Sequence, residues 1–127
     1  MKKFVADPSF WALFPGAAIG VLAVEGINEA ARLSPEQSAE VEALLKSANA
    51  AALAGLDQGA ALSQYRPVAV WREAYQKFPT KKGARCSIEA LLKRVSKGEP
   101  VGSIAPTVDI TNAVSLKYAL PIGAEDM

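Results

Sequence analysis

Hydrophobic and polar positions alternate along this chain in blocks, and each block predicts an element. Residues 2–6 read as a short edge strand. Asp7-Pro8 opens a short helix over Ser9–Phe14, with Asp7 as N-cap and Pro8 at the first helical position; Pro15-Gly16 stops it. Ala17–Val24 is an unbroken apolar run containing Ile and Val, the pattern of a buried strand, followed by a turn or strand end at Glu25–Asn28. Ser34-Pro35-Glu36-Gln37 has capping-box spacing and starts a helix whose apolar face is Val41, Leu44, Leu45, Ala48 and Ala52. The alanine-rich stretch 48–61, with Gly55 and Gly59, reads as a helix end and connector. Pro67 opens another helix with Val70, Trp71, Ala74, Tyr75 and Phe78 on one face, ended by Pro79. Lys81–Arg85 is a basic loop. Ser87 caps a helix whose inner face is Ile88, Leu91, Leu92 and Val95, and Gly98 suits a left-handed cap at its end. The tail from Ile104 mixes strand and helix signals.

The 127 residues are one domain's worth, half of them hydrophobic and 21% charged, which fits a globular protein able to bury a core. The longest apolar run is far shorter than the roughly 20 residues a membrane-spanning helix needs, and the acid and proline at Asp7-Pro8 come too early for a signal peptide. A lone cysteine, Cys86, excludes an intramolecular disulfide and points to a reducing compartment, so the cytoplasm is expected. Histidine is absent altogether. That removes any His-based triad and makes a metal site unexpected. No cofactor is expected either: Gly16, Gly20 and Gly26 are too widely spaced for a dinucleotide fingerprint, and no GxxxxGK[ST] motif occurs.

A net charge of +1 conceals a strong asymmetry. Between residues 77 and 97 lie Lys77, Lys81, Lys82, Arg85, Lys93, Arg94 and Lys97 against the single acid Glu89, a net of +6. Between residues 25 and 45 five glutamates face Arg32, a net of −4. A basic segment beside Trp71, Tyr75 and Phe78 is one footprint of nucleic-acid binding; a solvated helix face with core aromatics fits the same letters. Cys86, beside Arg85 and at a helix start, reads either as a thiol of lowered pKa or as a small buried residue. In the run 104–116, Asp109, Thr111 and Asn112 are short polar side chains among apolar ones. Asp109 suits the cap of a helix over 110–119; alternatively, that helix start presents its amides and side chains to a ligand.

Two stretches carry a family resemblance. Val108-Asp109-Ile110-Thr111-Asn112-Ala113-Val114-Ser115-Leu116, followed by Leu120-Pro121-Ile122-Gly123-Ala124-Glu125-Asp126, resembles the B3/B4 domain of phenylalanyl-tRNA synthetase beta chains, where the pattern is close to VDVTNYVML and then QPMHAFD. Phe14–Val24 and Arg85–Val95 are similar to the FPGAAIGVLAV-like strand and RCSIEALLKRV-like helix of free-standing B3/B4 proteins. The resemblance runs through nearly the whole chain. It implies one α+β domain over residues 1–127, with helices on a β-sandwich-like core. It also implies that the chain stops inside the domain, after the VDITN…LPIGAED segment, leaving an exposed sheet edge through which copies could self-associate.

In function, the resemblance implies tRNA as partner, met by Lys77, Lys81, Lys82, Arg85, Lys93 and Arg94. A substrate pocket near Asp109, Thr111, Asn112 and Gly123 is implied with it. The activity implied is editing in trans, hydrolysis of a mis-acylated tRNA such as Tyr-tRNA(Phe). Gly123 stands where the family pattern has a histidine, so no catalytic residue is assigned, and hydrolysis would rest on a positioned water. The ligase chemistry of the synthetase belongs to another module and is not expected. A non-catalytic domain for a small ligand or a protein partner is the alternative.

Overall fold

The computed structural model describes residues 3–28 and 31–125. Among these the architecture is helical, with no strand. This overturns the expected α+β fold, its β-sandwich-like core and its exposed sheet edge. The helices are α1 (Pro8–Leu13), α2 (Pro35–Gly55), α3 (Arg66–Tyr75), α4 (Ser87–Ser96) and α5 (Pro106–Tyr118), with a 3-10 turn at Leu62–Gln64. Proline occupies one of the first two positions of α1, α2, α3 and α5. There its missing N–H costs nothing and its fixed φ suits the helix.

The chain divides into two compact units, a leading one up to Ala31 and a main one, Arg32–Glu125. In the leading unit, Asp7 caps α1 as expected, accepting from Ser9 N at 2.9 Å. Phe10 contacts Trp11 edge-on and stacks at a tilt against Phe14, with centroids 5.0 and 5.4 Å apart. The run Ala17–Val24 forms no strand; Val21, Leu22 and Val24 are exposed. The described part of 2–6, residues 3–6, forms none either; Lys2 lies outside the described residues. The physical reason is shared. Strand propensity is realised only through pairing, and the described residues offer no partner strand.

The main unit is built on α2 and α5, which pack along each other, with α4 against both. The core is Leu45, Ala48 and Ala52 of α2, Val68 of α3, Cys86, Ile88, Leu92 and Val95 at α4, Val101, and Ala113 and Leu116 of α5. The alanines at 48 and 52, one turn apart, and Ala113 let helices approach closely. The alanine-rich stretch therefore carries packing up to Gly55 before it becomes a connector. The capping box forms as its spacing predicts: Gln37 N donates to Ser34 Oγ at 3.2 Å and Ser34 N to Gln37 Oε1 at 2.9 Å. In the middle of α2, the buried Asn49 holds the distant residue Val101 by both backbone groups. Val101 N donates to Asn49 Oδ1 at 2.7 Å, and Asn49 Nδ2 donates to Val101 O at 3.0 Å and Leu45 O at 2.9 Å.

Two helices stop in the same way on different residues. At the end of α4, Gly98 (φ 76°) turns left-handed while Glu99 N bonds Arg94 O and Gly98 N bonds Val95 O, both at 3.0 Å. At the end of α5 the left-handed residue is Ala119 (φ 51°), with Leu120 N on Ser115 O at 3.2 Å. Buried Ser115 also donates its hydroxyl to Leu120 O at 2.5 Å. A Cβ at Gly98 would meet nothing within 4 Å, so its substitution probes backbone conformation alone. Gly98→Ala is expected to cost about 1 kcal/mol, and Ala119→Gly to gain a similar amount. Urea unfolding midpoints check both.

Candidate functional site

The basic segment spans the end of α3, the loop before α4, and α4 itself. Helical spacing fixes which side of α4 carries charge. Ile88, Glu89, Leu92 and Val95 are buried, while Ala90, Lys93, Arg94 and Lys97 are exposed. Positions 90, 93, 94 and 97 fall on one face. Lys77, Lys81, Lys82 and Arg85 are exposed in the segment leading into α4, which turns at Gly83 (φ 80°). All six cations expected to face RNA are thus on the surface, between residues 77 and 94.

The segment's one acid is turned inward. Glu89, 2% exposed, accepts from Arg72 of α3 through both oxygens: Arg72 Nη2 to Oε1 at 2.6 Å and Nε to Oε2 at 3.2 Å. Arg85 Nε lies 3.4 Å from the same Oε1. The hydrogen bonds that Arg72 donates to Glu89 push the pKa of its guanidinium above its ordinary value and hold it in its charged form. Beside this trio is an open hollow of ≈ 290 Å³ lined by Arg72, Tyr75, Gln76, Gly83, Ala84, Arg85 and Glu89. A second hollow, ≈ 400 Å³, lies between the connector 56–66 and Ser96.

Cys86, not Ser87, is the N-cap of α4; it makes no side-chain cap bond, and Ser87 is the first helical residue. The thiol is buried, and burial pushes its pKa up. That is the chemistry of a small core residue, not of an activated nucleophile. Trp71 and Tyr75 are partly buried and pack against the core. Tyr75 also meets Phe78 edge-on, centroids 5.6 Å apart.

The four residues expected to line a pocket lie on α5 or just beyond it. The helix begins at Pro106, so Asp109 is not its cap but sits in its first turn, 3% exposed. Its carboxylate reaches back to accept from Ile104 N at 2.7 Å and Ser103 Oγ at 2.5 Å. Thr111 donates back to the carbonyls of Thr107 and Val108, a bond that Ser and Thr make inside helices. Asn112 is half-buried on the next position of α5, and Gly123 is exposed beyond the helix.

The helices carrying this arrangement, the end of α3, α4 and α5, coincide with a family match. Residues 70–127 match the B3/4 domain. The match covers both Arg85–Val95, similar to free-standing B3/B4 proteins, and the VDITN segment, which resembles the phenylalanyl-tRNA synthetase beta chain. No curated protein and no solved structure matches the chain. Among the described residues, no helix of the B3/4 segment or elsewhere is long and apolar enough to cross a membrane. No cluster of three or more potential metal ligands occurs among them either.

Arg72, Glu89 and Asn49 are the residues that sequence reasoning passes over. Glu89 had a signal: it is the only acid among seven cations, and it falls beside Ile88 and Leu92 on the inner face of α4. Asn49 had one too, being in phase with Leu45 and Ala52. Nothing local links Arg72 to Glu89, which lies 17 positions further on and in another helix.

Proposed function

We propose that this chain is a tRNA-binding B3/4 module whose RNA-facing surface is the basic face of α4 and the loop before it. The observation that carries the reading is the sorting of charge. In the B3/4 segment every cation between residues 77 and 94 is exposed, and the one acid is buried against Arg72. A surface sorted in this way suits a polyanion, because each phosphate neutralised releases counterions.

The test is binding of bulk tRNA across a salt series. Affinity should fall steeply with salt. Replacing Lys81, Lys82, Lys93 and Arg94 together by alanine should weaken binding at least roughly tenfold. The slope of log K against log salt should also become shallower, by up to about 0.9 for each phosphate contact removed. An unchanged slope would return these residues to the role of a solvated face, and leave a non-catalytic ligand- or protein-binding domain as the reading. Editing is the finer proposal, with the acylated end near the first turn of α5. Tyr-tRNA(Phe) deacylation above the spontaneous rate would add it; a rate equal to the spontaneous one would confine the chain to binding.

A further inference from the structure

The hollow beside Glu89 has the parts of a binding site and no function assigned so far. Arg72 and Arg85 are each about half-exposed, with side chains 48% and 43% accessible, yet both are fixed on one buried carboxylate. A guanidinium carries five N–H donors in a planar fork. Glu89 accepts from Nε and Nη2 of Arg72 and faces Nε of Arg85 as an ion pair at 3.4 Å. Nη1 of Arg72 and both terminal nitrogens of Arg85 therefore remain for a second acceptor. Two guanidiniums against one carboxylate leave one positive charge, the complement of a phosphodiester. Tyr75 adds an aromatic wall steadied by Phe78. The volume, ≈ 290 Å³, lies at the small end of ligand sites and suits one nucleotide unit.

We propose that this hollow is a clamp for a single nucleotide of a single-stranded RNA. Arg72 and Arg85 take its phosphodiester, Tyr75 takes the adjoining base, and Glu89 is the positioning residue that holds both guanidiniums in place. The inference rests on the RNA-binding reading and goes beyond it, because Arg72, Tyr75 and Glu89 lie outside the cationic face already assigned. Aromatic stacking combined with fixed guanidiniums is how single strands are held without sequence preference.

The clamp is tested with a single-stranded RNA hexamer, by fluorescence anisotropy on the full chain, with helix content checked at the assay temperature. Arg72→Lys keeps the charge and loses the fork. It should weaken hexamer binding roughly tenfold, the loss of about one charge-assisted bond, and leave the salt slope unchanged. Binding within twofold of the original would overturn the clamp. Glu89→Gln separates positioning from charge: it removes a negative charge, so a surface acting by charge alone binds RNA more tightly, whereas a clamp that has lost its anchor binds more weakly. Tighter binding by Glu89→Gln overturns the proposal. Glu89 is buried, so if the helix-content check finds that variant unfolded, Arg72→Lys, at a half-exposed position, decides alone. Binding of tRNA without binding of the hexamer overturns the clamp and leaves the RNA reading standing. Binding of neither overturns the RNA reading itself.

Discussion

Asn49→Ala should be among the most destabilising substitutions of a polar residue in this protein, lowering stability by roughly 2–4 kcal/mol. Asn49 is buried in the middle of α2 and serves both backbone groups of Val101, itself in the core. Alanine keeps the helix but leaves a buried N–H and a buried C=O without a partner, and each such group costs about 1–3 kcal/mol. Asn49→Asp separates the two halves of the contact. The carboxylate still accepts from Val101 N, but it can no longer donate to Val101 O or Leu45 O and sets a charge against both carbonyls. It should therefore also destabilise. Urea denaturation followed by circular dichroism measures both variants. A change below about 0.5 kcal/mol for alanine, the scale of an ordinary surface substitution, would show that Asn49 does not fasten residue 101 to α2.

The second large effect is a contrast. Ile88→Ala, at a fully buried position of α4, should cost about 2–5 kcal/mol, because the lost methylenes leave a cavity that neighbouring helices fill only in part. Leu22→Ala, at a position 86% exposed, should fall within about 0.5 kcal/mol. If Ala17–Val24 were a buried strand, Leu22 would match Ile88. The same unfolding curves decide.

These contrasts show where sequence was informative. Helix ends depend on residues two to five positions apart, so the caps at Asp7, at Ser34 with Gln37, and at Gly98 were legible, while those expected at Ser87 and Asp109 fall instead on Cys86 and Ala105. The apolar face of α4 was legible for the same reason. Ala17–Val24 was not, since its composition states a preference for a strand and says nothing about whether a partner strand is present. In α5 the β-branched residues Thr107, Val108, Ile110, Thr111 and Val114 argue locally for a strand. Pro106 at the start and the bond from Ile104 N to Asp109 settle the segment as a helix. Asn49 with Val101 and Arg72 with Glu89 are pairs made by the packing of distant elements, and no local spacing encodes them. In the candidate site the cations were visible one by one and the phase of Glu89 with Ile88 and Leu92 pointed inward, but its pairing with Arg72 was not legible.

The inward turn of that one acid bears on time as well as on strength. An approaching polyanion first meets the field of the exposed cations, felt out to about a Debye length, roughly 8 Å at physiological ionic strength. With Glu89 engaged by Arg72, no acid of the segment stands at the surface to oppose it. The frequency of encounter is then governed by lysines that need no particular geometry, and it slows as salt is added. The duration of each encounter is governed by short-range contacts, which salt screens far less. On the RNA-binding reading proposed above, arrival and departure therefore fall to different residues of one short stretch of chain.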